Sequence, residues 1–106
     1  MIKLSAVAVL YAVTREYVEK FGGCIDGDEL KACRYFIARY EDVIRGLSPL
    51  EEVVLRLHYE EGFSLREIKA MDLSGYGVDR PGMDALVKAR FALLHRFKRV
   101  FLEVSI

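Results

Sequence analysis

The sequence predicts an all-α fold, an N-terminal helical hairpin followed by a three-helix module, with no strand. Three observations carry this. Apolar residues recur at three-four spacing through most of the chain. Only eight glycines and two prolines interrupt 106 residues that are rich in Ala, Leu, Val, Glu, Lys and Arg, a composition that favours helices. Two serine caps of one chemical kind open two short helices in the middle. A chain of this length builds one modest core, so 1–106 reads as a single domain, with 1–46 as the hairpin and 47–106 as the module.

The first helix is expected from about Ser5 to Phe21, with Leu4, Val7, Leu10, Tyr11, Val18 and Phe21 facing inward and Gly22-Gly23 ending it. Its apolar arc is broad, which implies heavy burial or a partner. The second begins near Asp28, read as its N-cap, and runs to Arg45. Leu30, Cys33, Ile37, Tyr40, Ile44 and Leu47 recur along it, so it should pack on another helix over its whole length.

Ser48, followed by Pro49 and by Glu51 three residues on, has the pattern of a capping box. Ser64 and Glu67 repeat it, and Gly62 between them sits where a left-handed residue would end the third helix. The third helix is thus read as Pro49 to Tyr59 and the fourth as Leu65 to Met71. After a loop from Asp72 to Arg80, the fifth starts at Pro81 and reaches about Glu103. Its expected inner side is Met83, Leu86, Val87, Phe91, Leu94, Phe97, Val100 and Phe101.

Net charge is zero, low for a chain that binds nucleic acid, yet the average hides a gradient. Residues 47–79 carry three basic and seven acidic side chains, and residues 80–106 six basic and two acidic. Cys24 and Cys33 lack metal-ligand spacing, and His58 and His95 stand beside no nucleophile or carboxylate pattern. No catalytic residue, metal or cofactor is expected, and the chain is not read as an enzyme. The apolar stretch Leu4 to Val13 is followed at once by Arg15, Glu16 and Glu19 and is too short to span a bilayer, so a cytoplasmic protein without a membrane partner is expected.

Leu47-Ser48, Glu51, Val54-Leu55-Arg56-Leu57, Tyr59, Glu61-Gly62, Ser64-Leu65, Glu67-Ile68 and, more loosely, Val87-Lys88-Ala89-Arg90 resemble region 4 of bacterial sigma factors. That region is the helix-turn-helix that reads the promoter −35 element; phage late-transcription activators are built on the same module. The resemblance covers about half the chain. It implies a supporting helix from Ser64 to Met71 and a recognition helix in the fifth helix, hence a DNA-binding transcription regulator of phage or mobile-element type. Arg66, Arg80, Lys88, Arg96 and Arg99 would contact double-stranded DNA, and the hairpin would support the core or a homodimer.

The chain departs from that pattern where the turn before the fifth helix is about three residues longer, with Tyr76 inserted among Ser74, Gly75 and Gly77. Gly82 and Asp84 stand where the family places base-reading side chains. These departures favour an alternative, a regulator or inhibitor that keeps the scaffold and binds RNA polymerase or another protein, with Tyr76 as a contact. Arg90 falls inside the apolar arc, so a carboxylate such as Glu51, Glu52 or Glu67 is its expected partner.

Overall fold

The computed structural model describes residues 2–101 and 104–105 of the chain. It is built of α1 (Leu4–Phe21), α2 (Gly27–Arg45), α3 (Pro49–Val53, continued by a π-helical stretch, Val54–Glu60), α4 (Leu65–Lys69) and α5 (Met83–Val100). One 3₁₀ turn, Ser74–Tyr76, lies between α4 and α5. The chain ends meet in a two-residue parallel pairing of β1 (Ile2–Lys3) with β2 (Val104–Ser105), too short to make a layer. The expected extension of the fifth helix to Glu103 falls outside the described residues. Its last helical residue is Val100, and Phe101 is extended.

The π-helical part of α3 is the hub, since α1, α4 and α5 all touch it. That is why Val53, Val54, Leu55 and Leu57 are all buried, where the spacing predicted only Val54 and Leu57 on an inner face. A helix covered on several sides is apolar all round. Near its end the Glu61 N–H reaches the Arg56 carbonyl, five residues back, at 3.1 Å. Such wide turns are rare and are often found at functional sites.

Both serine caps form. The Ser48 hydroxyl accepts from the Glu51 N–H at 3.2 Å while the Glu51 carboxylate accepts from the Ser48 N–H. Ser64 and Glu67 repeat the arrangement. Gly62 has the left-handed φ of 83° that ends α3, and the His58 ring bonds the Phe63 carbonyl across that turn at 2.7 Å. Helix α2 starts earlier than expected. Asp26 takes the cap position, without a side-chain hydrogen bond, and Asp28 lies in the first turn, where a carboxylate suits the positive end of the dipole.

Helices α1 and α2 run antiparallel. Tyr11 stacks on Tyr40 at 4.0 Å between ring centroids and donates to Glu41, whereas Tyr17, farther along α1, donates to Glu29 near the start of α2. Phe97 of α5 reaches the same Tyr40 ring at 5.1 Å. Tyr40 is fully buried and its hydroxyl finds no partner among the described residues. Burial pushes its phenol far above the usual range, so it stays protonated.

Three expected inner faces are rotated. On α1, Ala8 is buried while Leu10 and Phe21 are about half exposed; on α2, Val43 joins Tyr40 inside; on α5, Ala89 and Leu93 are buried and Phe91 points out. In each case the buried arc follows the neighbours the helix touches. The first half of α2 is covered only in part, contrary to the full-length packing expected of it.

Glu51 is the one buried charged residue in the described core. Its Oε2 accepts from Arg96 Nε at 2.6 Å, so the carboxylate expected to serve Arg90 is taken by Arg96, one turn and a half further along α5. Arg90 instead donates to the Tyr59 hydroxyl at 3.3 Å, because it faces the end of α3 rather than its beginning. Burial raises the Glu51 carboxyl, but hydrogen bonds from Arg96 and Ser48 outweigh it and hold the group below its ordinary range.

Two measurements follow from this packing. Ser48→Ala and Ser64→Ala should each cost on the order of 1 kcal/mol in a denaturant titration, since a first-turn N–H loses its acceptor. Glu51 titrates at a lower pH folded than unfolded, so its contribution is complete above the usual carboxylate value and is lost as pH falls through the lowered folded one. The melting temperature of the native chain should therefore drop more steeply below about pH 4.5 than that of Glu51→Gln.

Candidate nucleic-acid interface

The chemistry gathered on the second half of the chain is cationic and lies on α4, the connection after it, and the outer side of α5. Ser64 opens α4, and the buried Ile68 fixes which side turns outward. That leaves Arg66 and Lys69, one turn apart, exposed to solvent.

The connection from Ala70 to Gly82 is longer than the loop read from the sequence, because α4 stops at Lys69 and α5 begins at Met83. It is nonetheless built. Leu73 is buried in the core, the Asp72 carboxylate accepts from the Ser74 N–H at 3.0 Å, and Gly77 takes the left-handed φ of 70° that closes the 3₁₀ turn. The Ser74 hydrogen bond lowers the Asp72 pKa, which keeps the carboxylate charged. Leu73 thus closes the end of the core, and Tyr76 is left 42% exposed.

Arg80 emerges from this connection and, with Lys69, Met71 and Asp72, lines a cleft of about 420 Å³. Its own N–H is held by Asp79 at 3.0 Å. Gly82 caps α5 without a side-chain bond, and Asp84 sits in the first turn.

On α5 the buried Leu86, Ala89, Leu93 and Phe97 settle which residues face out. Lys88, His95 and Arg99 follow one another at intervals of seven and four, so they share one line on the helix; all three are exposed. Phe91, 45% exposed, stands beside that line, with the Arg90 guanidinium 5.9 Å from its ring centre. Arg66, Lys69, Arg80, Lys88, Lys98 and Arg99 make no ion pair with a described residue.

The acidic middle segment does not neutralise this surface, since its carboxylates are engaged elsewhere. Glu51 holds Arg96, Glu52 and Glu60 flank Arg56, and Glu67 belongs to the Ser64 cap. Of the five cations expected to meet DNA, Arg66, Arg80, Lys88 and Arg99 stand free of described carboxylates. Arg96 does not, being bound to Glu51 as a brace between α5 and α3. Arg96 and Arg99 meet again beside Gly46 at the end of α2.

Sequence reasoning missed Lys69, Lys98 and Phe91 as members of this surface. The signal for Phe91 was available, for it lies three residues after Lys88 and four before His95, the spacing that puts all three on one side of a helix. A larger cleft, about 510 Å³, runs between α1 and the π-helical stretch, but its charged walls are paired with each other or with neighbours: Arg15 with Glu19, Arg56 with Glu60, Glu16 with Lys20. Among the described residues no three His, Cys, Asp or Glu side chains converge as a metal site, and no helix is long and apolar enough to cross a membrane.

The chain matches no protein-family model, curated protein or solved structure.

Exposure makes one test of Tyr76 direct. Tyr76→Ala should leave stability within about 0.5 kcal/mol, as for a surface substitution, whereas Leu73→Ala should cost about 2–5 kcal/mol by opening the core. Urea titrations of the two variants compare them.

Proposed function

We propose that this chain is a DNA-binding transcription regulator of sigma-region-4-like plan, with the N-terminal hairpin as support, α4 as the helix across the backbone and α5 as the helix presented to the major groove. The observation that carries the reading is the outer side of α5: Lys88, His95 and Arg99 in one line, with Lys98 beside them, against a single acid, Asp84. From Lys88 to Arg99 this line runs about 17 Å along the helix, enough to follow a groove edge. Phosphate contacts supply most sequence-independent affinity, and here they would come from Arg66, Lys69 and Arg99. Base contacts fall to the start of α5, where Arg80 and Lys88 are the side chains with reach.

Net neutrality is no obstacle on this reading, because the compensating acids are spent inside the fold. The Glu51–Arg96 pair serves by holding α5 at a fixed angle to α3, which a recognition helix requires.

A second reading draws on the connection. Thirteen residues separate α4 from α5, and Gly82 offers no side chain at the position that leads into the groove. Such a surface, with Tyr76 and Phe91 exposed, suits a protein target such as RNA polymerase or another nucleic-acid enzyme, on which the module would act as a regulator or inhibitor.

Fluorescence polarisation with a random-sequence duplex near 50 mM salt separates the two. The native chain should bind weakly and lose affinity as salt rises. Lys88→Ala with Arg99→Ala should weaken binding on every sequence and flatten the salt slope by about 0.9 for each phosphate left without its cation, while Arg80→Ala should alter sequence preference. No duplex binding at low salt would remove the DNA reading and leave the protein-binding one.

A further inference from the structure

Helix α1 is apolar on two opposite sides. Leu4, Val7, Ala8 and Tyr11 are buried. On the other side Val9 and Val13 are each 56% exposed and Leu10 49%, and with Ala6 they form one wall of a shallow groove bounded by Tyr59. A surface helix ordinarily carries polar residues there. We propose that this face is the interface of a homodimer in which a second copy of the chain lays its α1 antiparallel across a twofold axis.

Charge selects both the occupant and the direction. Past the apolar patch the same line of α1 continues into Glu16 and Lys20, both 62% exposed. Parallel pairing in register would set each of these against its own copy, like charge on like. Antiparallel pairing centred between Val9 and Leu10 sets Val9 against the partner subunit's Leu10, Ala6 against the partner subunit's Val13, and the exposed Lys3 at the level of the partner subunit's Glu16. The twofold axis makes each of these contacts twice. The helix dipoles then also oppose, and Ala6 permits close approach at the crossing.

Three aliphatic side chains and an alanine from each copy fall well short of the roughly 800 Å² per partner of a standard interface, so the dimer is reversible. The proposal does not depend on the DNA reading and is tested without nucleic acid.

Sedimentation velocity on the full chain, from low micromolar to about 1 mM, should show a monomer–dimer equilibrium. Val13→Glu, at a residue already exposed, should leave a monomer with an unchanged melting temperature. Lys3→Glu and Glu16→Lys should each weaken the dimer several-fold, and the two together in one chain should restore it. A chain monomeric throughout the range overturns the proposal, as does a dimer indifferent to Val13→Glu. Failure of the double swap to restore association overturns the antiparallel register. Binding of the monomer to anionic phospholipid vesicles, abolished by Val13→Glu, would assign the face to a lipid surface instead and overturn it as well.

Discussion

The fold turns on one carboxylate. Glu51 closes the Ser48 capping box and, from the same group, accepts the Arg96 guanidinium. A buried charge without a partner would be severely destabilising, so Glu51 and Arg96 constrain each other. Glu51 fixes where α3 begins, Arg96 fixes how α5 crosses it, and the apolar residues between them, Val53, Val54, Leu55, Leu93 and Phe97, fill the space this crossing defines. The aromatic cluster of Tyr11, Tyr40 and Phe97 then joins α1 and α2 to the same centre.

That constraint also shapes the surface. Acids concentrated in the middle of the chain are consumed by capping and bracing, while the cations of α4 and α5 stay outside. A neutral chain thereby presents a locally cationic side, so net charge alone is a poor guide to partners when its two signs are used so differently.

The connection between α4 and α5 shows how a long segment can be ordered without regular structure. A buried side chain, Leu73, an Asx turn at Asp72 and a left-handed Gly77 together hold it. Each removes freedom from a different part of the loop, and the residues left without such a tie, Tyr76 and Arg80 among them, are the exposed ones. Loops on rigid scaffolds are frequent carriers of function.

What the sequence determined by itself is local. The helical class, both serine caps and the left-handed Gly62 rest on interactions within four residues, so spacing and side-chain type suffice to read them. What the tertiary structure decided is non-local. Which arc of α1, α2 and α5 is buried depends on neighbours the spacing does not name, hence the exchange of Leu10 for Ala8 and of Phe91 for Leu93. Whether Arg90 or Arg96 meets Glu51 depends on where α5 crosses α3, and their inner faces do not announce that level. The free cations of the candidate interface were legible as charges; that they are free became visible only when the fold showed which carboxylates were already taken, because pairing is a matter of distance in space rather than along the chain.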